Sequence, residues 1–297
     1  MSSLMTIDAL DNCDAASFVA LMAEVFEHAP WVAQAVVADR PFGSADALHA
    51  AMMAKVAALS ETDLVKLLVG HPELGGLDAR TGKMTTDSIR EQGKLALQDL
   101  AQEQALRWDA LNKQYRERFG FPFIICVSRH TRLSILRNFE SRLMHSRSAE
   151  LACAMKEIGY ITRLRLANRI ANHGMLYITG ALSTHVLDTS KGCPAVGMRF
   201  TLSEMSEDDS TNRLLVDAVT DERGRTPKPL LSGEPLRIGR YELRFHVGEY
   251  FRRTGVIQSD WPFLDIVPVL FGIDDPEGNY HVPLTVTPWA YSTYRGQ

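Results

Sequence analysis

Acid–base chemistry has two natural homes in this 297-residue chain. The first is Gly70-His71-Pro72-Glu73-Leu74, followed by Ser88-Ile89-Arg90-Glu91-Gln92. Glu91 lies three residues after Ser88, so on a helix Ser88, Glu91 and Gln92 share one face. His71 precedes Pro72, which favours extended backbone at that point. A histidine at a loop end opposite a polar helix face makes an acid–base site. The alternative is a solvated helix face, with Glu91 paired to Lys94 or Arg90 and His71 structural.

The second home is spread over Thr184-His185-Val186-Leu187-Asp188, Gly224-Arg225-Thr226, Tyr280-His281-Val282-Pro283-Leu284 and Tyr291-Ser292-Thr293-Tyr294-Arg295-Gly296-Gln297. Two imidazoles and a guanidinium can carry hydrolysis without a metal. A neutral imidazole takes a proton from water, and the guanidinium holds an anionic ring or a developing oxyanion. Singly, each has an ordinary reading: a strand histidine packs or faces solvent, a turn arginine is solvated, and a terminal Tyr-Arg-Gly frays.

The elements that position these residues change character along the chain. Up to about Ile170 the period is helical. Ser17–Ala29 sets Phe18, Leu21, Met22, Val25 and Phe26 on one face, with Asp14 as cap. Ser44–Leu59 repeats the pattern with Ser44 as cap. Thr86–Lys113 reads as one long or two abutting helices, and Ser148–Arg169 as another. After Gly174 the period is two, clearest in Tyr241–Val247. Turn residues recur at Lys191-Gly192, Glu222–Arg225, Ser232–Glu234 and Pro276–Asn279, which suggests a β-sandwich. The expected division is an all-α domain over 1–167, a linker over 168–175 and an all-β domain over 176–297.

Bulk properties narrow the function classes. Hydrophobic content of 45% and charged content of 23% suit a globular protein of two domains. A net charge of -4 with no basic stripe argues against nucleic acid or an anionic membrane as partner. The longest apolar run, Phe121–Val127, is far short of the ~20 residues a membrane helix needs. Cys13, Cys126, Cys153 and Cys193 form no CxxC pair and no zinc-ligand spacing, so they read as reduced thiols. No secretory signal and no Ser-Lys-Leu end is visible, which points to the cytoplasm, or to a peroxisome should the source be eukaryotic.

Taken together, the C-terminal blocks resemble the transthyretin-like 5-hydroxyisourate hydrolases from about Leu176 onward. These blocks are His-Val-Leu-Asp with Gly192-x-Pro194-Ala195, Gly224-Arg225, Gly239-x-Tyr241 with Phe245 and Tyr250-Phe251, then Tyr-His-Val-Pro-Leu and Tyr-Ser-Thr-Tyr-Arg-Gly. The terminal block separates the hydrolases from the hormone carriers. The resemblance implies a β-sandwich that forms homotetramers, with His185, Arg225, His281, Tyr294, Arg295 and Gly296 at the site. The family ends in Ser where this chain has Gln297; an amide cannot relay a proton as a hydroxyl does.

The N-terminal blocks resemble the OHCU decarboxylases over residues 7–166. They are Phe26-Glu-His-Ala-Pro-Trp-Val-Ala33, Gly70-His-Pro-Glu-Leu, Ser88-x-x-Glu91-Gln92, Leu111-Asn112-x-x-Tyr115 and Phe119-Gly-Phe-Pro-Phe-Ile-Ile125, with Arg163-Leu-Arg165-Leu166. This family acts on 2-oxo-4-hydroxy-4-carboxy-5-ureidoimidazoline. The resemblance implies an all-α fold, catalytic His71 and Glu91, and substrate contacts from Pro72, Ser88, Gln92, Phe123, Ile124, Ile125 and Arg165. Arg163 stands as the alternative to Arg165.

Joined in one chain, the two resemblances imply successive steps on an oxidised purine: opening of the 5-hydroxyisourate ring, then decarboxylation to (S)-allantoin. No cofactor or metal is called for, because the departing electron pair can enter an adjacent ring C=N bond. On this reading Glu91 positions His71, and Arg165 grips substrate oxygens through a bidentate contact. Three rivals remain in view. One is a ligand carrier fused to a helical adaptor; another is a chain in which only one domain is active. The third, a metal-dependent amidohydrolase, would want a His-x-His pair, and the sequence has none.

Overall fold

A computed structural model of the chain describes residues 4–76, 86–93, 95, 102–171, 175, 178–206, 212–256 and 259–296. The chain divides into two compact units, Met1–Val127 with Ile135–Leu176 and Ser128–Ser134 with Tyr177–Gln297. The short excursion 128–134 had no sequence signal. It joins the second unit through its backbone: Thr131 N donates to Ile238 O at 3.0 Å, and Ile238 N to Arg129 O at 2.8 Å.

The first unit is helical. Among the described residues its helices are α1 (Ile7–Asn12), α2 (Ala15–Met22), α3 (Trp31–Val36), α4 (Ala45–Ala57), α5 (Glu61–Val69), α6 (Thr86–Gly93), α7 (Gln102–Phe119), α8 (Arg132–Arg142, in this unit from Ile135 on) and α9 (Arg147–Ala167). Side-chain caps start several of them: Asp14 accepts from Ser17 N, Ser44 from Ala47 N, Ser60 from Asp63 N and Ser146 from Ala149 N. A short parallel pair, β1 (Met5–Thr6) and β2 (Ile170–Ala171), ties the start of the unit to its end.

The expected Ser17–Ala29 helix is shorter than its pattern, because α2 stops at Met22. Val25 and Phe26 are still buried, but from a turn, and Leu21 is 41% exposed rather than on the core face. The turn aims Glu27 inward, with His28 taking up the left-handed conformation at φ 49°. Thr86–Lys113 resolves into α6 and α7, and α7 runs on to Phe119. In α9 the buried positions Leu151, Ala154, Ile158, Thr162 and Arg165 recur at three and four. Arg165 therefore sits on the core stripe.

The second unit is a sandwich of two four-stranded sheets. One has the order β10-β9-β3-β4, from β3 (Ala181–Asp188), β4 (Cys193–Pro194), β9 (Asn279–Val286) and β10 (Tyr291–Thr293). The other is β6-β5-β7-β8, from β5 (Arg199–Glu204), β6 (Arg213–Val219), β7 (Gly239–His246) and β8 (Ile266–Ile273). The central β3–β9 pair is parallel, and the other strand pairs described in the sandwich are antiparallel. Leu182, Val186, Phe200, Leu202, Leu243, Phe245 and Leu284 fill the space between the sheets, each fully buried. At least 20 cal/mol per Å² of apolar surface removed from water holds such a core together.

In β3 every second residue is buried, so Leu182, Thr184 and Val186 face the core while Ser183 and His185 face away. The alternation read in Tyr241–Val247 is strand β7 to His246. The chain then turns into α10 (Val247–Arg253), which the sequence did not suggest. Tyr250 and Phe251 look like strand residues, but here they are buried from a two-turn helix.

Candidate active sites

The helical unit holds a pocket lined by His71, Pro72, Leu74, Ser88, Glu91, Gln92, Phe123, Ile124, Ile125 and Arg165, among others. Every residue expected in this site is there. Arg163 is not; its guanidinium pairs with Asp46 at 2.9 Å on the helix flank.

The pocket's charges form one network. Arg165, 2% exposed, gives Nε and Nη2 to the two oxygens of Glu91, both at 2.9 Å. Its Nη1 donates to Glu27 Oε2 at 2.9 Å, and Nη2 also reaches Ser88 Oγ at 3.1 Å. The Ser88 hydroxyl in turn donates to Glu27 Oε2 at 2.9 Å. The fork expected to grip substrate is therefore spent on Glu91. Two carboxylates around one guanidinium give this network a formal charge of -1.

His71 also differs from expectation. Its Nδ1 lies 3.1 Å from the carbonyl of Leu67, which can only accept, so Nδ1 carries the proton and Nε2 keeps a lone pair. The α5 carbonyl, rather than Glu91, orients the ring. Burial pushes the imidazole down to about 4, so it is neutral at physiological pH.

Supporting contacts explain the remaining motifs. Gln92 Oε1 accepts from Gly75 N at 3.0 Å, and Asn112 Nδ2 donates to Leu74 O at 2.9 Å. Both hold the loop that carries His71 and Pro72. On the opposite wall, Arg142 donates to Ile124 O at 2.9 Å and stacks over the Phe123 ring at 4.4 Å. Tyr115 and Arg142 both bind the buried carboxylate of Glu150. Cys126 N donates to Glu157 at 2.8 Å.

Glu27 is the residue the sequence reading missed. It lies inside an apolar block, and a carboxylate flanked by Val25, Phe26, Ala29 and Trp31 has little chance of being solvated. That was the available signal.

In the second unit, β3 and β9 lie side by side in parallel, with Ser183 opposite His281 and His185 opposite Pro283. His185 and His281 thus share the face turned away from the sandwich core. Gly224, at φ 70°, lies against β3; a Cβ there would collide with the Val186 carbonyl. Val186 N donates to Gly224 O at 2.8 Å, and Asp221 Oδ1 accepts from Arg225 N at 2.9 Å. This turn brings Arg225 to the histidines. The imidazoles of both are held below their usual value, first by burial and then by the Arg225 cation; His281 is lowered further by His185. The three groups therefore act on one another.

The terminal segment closes one side. Gly296 N donates to His281 O at 2.8 Å, and Arg295 stacks over Tyr280 at 4.7 Å. Tyr294 is 61% exposed, and Gln297 lies outside the described residues. Ser183 Oγ lies 3.0 Å from His281 Nδ1, a partner the sequence reading did not single out. Ser183 sits two residues before His185, on the same strand face, which was the clue.

Residues 11–167 match the family of OHCU decarboxylases, and residues 182–296 match the HIUase/Transthyretin family. The chain belongs to both families. Its C-terminal half is 49% identical over 119 residues to a 5-hydroxyisourate hydrolase of Halalkalibacterium halodurans, covering 40% of this chain and 99% of that protein. Its N-terminal half is 39% identical over 168 residues to a 2-oxo-4-hydroxy-4-carboxy-5-ureidoimidazoline decarboxylase of Haloferax volcanii, covering 57% of this chain and 98% of that one. A crystal structure of (S)-allantoin synthase aligns with 99% of this chain and 100% of its own, at 34% identity and a TM-score of 0.52. The OHCU decarboxylase half is the helical unit, and the HIUase/Transthyretin half is the sandwich.

Proposed function

We propose that this chain is a bifunctional enzyme of urate breakdown. Its sandwich hydrolyses 5-hydroxyisourate, and its helical unit decarboxylates the product to (S)-allantoin. The observation that carries the hydrolase is geometric: the parallel β3–β9 pair puts His185 and His281 on one sheet face, and the turn hydrogen-bonded to β3 at Gly224 sets the Arg225 cation next to them. One imidazole takes a proton from water as it attacks the lactam carbonyl. Arg225 holds the anionic purine while the C–N bond breaks and the six-membered ring opens.

In the decarboxylase, the bond to the substrate's carboxylate breaks and its electron pair enters the neighbouring ring C=N bond. His71 Nε2 accepts the hydroxyl proton. Pro72 and the Phe123–Ile125 wall shape the cavity around the ring. Arg165 acts through its partners, since it fixes Glu91 and Ser88 at the pocket edge. Carbon dioxide leaves, and protonating the carbon of the former C=N bond on one face, as the hydroxyl becomes a carbonyl, yields one enantiomer.

We further read the assembly as a homotetramer. Exposed Trp261, Phe263 and Trp289 (91, 78 and 68% exposed) give the sandwich unit apolar surface to bury. A homotetramer is also what the resemblance to the transthyretin-like hydrolases implies for the sandwich unit. Four free thiols favour a reducing compartment such as the cytoplasm.

Uricase-driven turnover followed by circular dichroism tests the reading. His71→Ala should leave ring opening fast while the ureidoimidazoline accumulates, and His281→Ala should stall the earlier step. Optically active allantoin at wild-type rate in either variant would refute the corresponding assignment.

A further inference from the structure

Beneath the Phe123–Ile125 wall, away from the residues assigned to catalysis, His145, Glu150 and Cys153 converge. One ligand atom from each lies within 4.8 Å of the others. His145 Nδ1 is 2.9 Å from Glu150 Oε2. Glu150 and Cys153 lie three residues apart on α9, so they share a face of that helix, and His145 stands just before its Ser146 cap.

We propose that these three residues form a binding site for one zinc-like divalent cation. Nitrogen, thiolate and carboxylate together suit Zn2+, Co2+ or Ni2+, and are a poor match for Mg2+ or Ca2+, which prefer oxygen alone. Three protein ligands leave a fourth position for water. The site is reachable, because the His145 side chain is 34% exposed and Cys153 is half-buried.

The surroundings are built for ligation. Glu150 is fully buried, and its other oxygen, Oε1, is held by Arg142 at 2.5 Å and by the Tyr115 hydroxyl. That leaves Oε2 fixed in direction toward His145 and Cys153, the outer-shell arrangement that orients a ligating carboxylate. Burial holds the Cys153 thiol above its usual value; Arg142 and Lys156 oppose this while Glu150 and Glu157 add to it, so the bound cation itself has to draw the proton off. Binding replaces the His145–Glu150 contact: the neutral imidazole keeps its proton on Nε2 and gives the Nδ1 lone pair to the metal, and the Cys153 thiol releases its proton to solvent as the metal–sulfur bond forms. Arg142 links this carboxylate to the Ile124 carbonyl and the Phe123 ring, so an ion here would stiffen the wall of the decarboxylase pocket.

The test uses the untagged full chain stripped with chelator and titrated with Co2+ alone, then Zn2+. Saturation at one Co2+ per chain, with a near-ultraviolet thiolate-to-cobalt charge-transfer band that Zn2+ quenches, is the expected result. Cys153→Ser should abolish the band, His145→Ala should weaken Co2+ binding at least tenfold, and Cys193→Ser should change neither. No band, a band that survives Cys153→Ser, or one lost with Cys193→Ser would overturn the site. The metal-free Cys153→Ser protein is also assayed for ureidoimidazoline decarboxylation. A missing ion and a missing activity are therefore read separately.

Discussion

Gly296→Ala is a single methyl group aimed at the hydrolase. A Cβ at this position would sit 2.6 Å from His281 Cδ2 and 3.1 Å from its Cβ. Carbon atoms pack at about 3.5–4.0 Å, so the imidazole has to shift by about 1 Å. The Gly296 N to His281 O bond survives, because alanine keeps the amide, and φ here is not in the left-handed region. The substitution thus leaves the backbone alone and moves one ring. A misplacement of about 1 Å costs on the order of a hundredfold in rate, about 2.7 kcal/mol of transition-state stabilisation. Ring opening is followed by the loss of hydroxyisourate absorbance after a pulse of uricase, and melting is checked in parallel. We expect kcat/KM for ring opening to fall about a hundredfold with unchanged Tm, while the ureidoimidazoline that does form is still decarboxylated at the normal rate. Wild-type ring opening in this variant would show that His281 is not the base beneath the terminal segment. An equal loss of both activities would show that the defect lies in folding.

Four further outcomes follow from the geometry. Glu27→Ala leaves the buried Arg165 short of a partner and should cost about 3–5 kcal/mol of stability along with decarboxylation; Glu27→Gln, which still accepts from Arg165, should melt closer to wild type, as denaturant titration will tell. Gly224→Ala forces a β-carbon into the Val186 carbonyl at a left-handed position, so ring opening should be lost and the sandwich should melt several degrees lower. Removing the cation with Arg225→Gln should raise the titration midpoints of His185 and His281, seen in histidine NMR; unchanged midpoints would separate Arg225 from the site. Burial pushes two imidazoles down to about 4 in the folded chain, against about 6.5 unfolded: His71, and His49 on α4, whose Nε2 lies 2.9 Å from Thr162 Oγ1. The unfolded chain binds more protons between those values, so stability should fall as pH drops from about 6.5 to 4, and His71→Gln should flatten that slope.

Much of this was legible in advance because the motifs are local. His71-Pro72, Ser88 to Gln92 and Gly224-Arg225 each describe one turn or one helix face, and sequence spacing fixes such faces. What escaped was set by partners far away in the chain. Nothing near Arg165 says that its fork is spent on Glu91 rather than on substrate. Nothing near His71 says that a carbonyl of α5 fixes its tautomer, since backbone groups leave no mark on side-chain pattern. The α2 boundary failed for a related reason: Val25 and Phe26 continue the helical period by chance, while burying Glu27 requires the chain to leave the helix. The α10 helix failed because aromatic residues packed against a sheet look alike whether they sit on strand or helix.

The Arg165 network has a consequence for how the enzyme comes into being. The arginine's partners lie 74 and 138 positions earlier in the chain, at Glu91 and Glu27. Such distant pairings carry the largest loop-closure entropy and tend to form late. Until they close, two carboxylates and a guanidinium must stay hydrated, which keeps the centre of the helical unit from drying. Catalytic competence and the final locking of the helical fold should therefore arrive together, so recovery of decarboxylation during refolding should follow this last step and lag behind the return of helical signal.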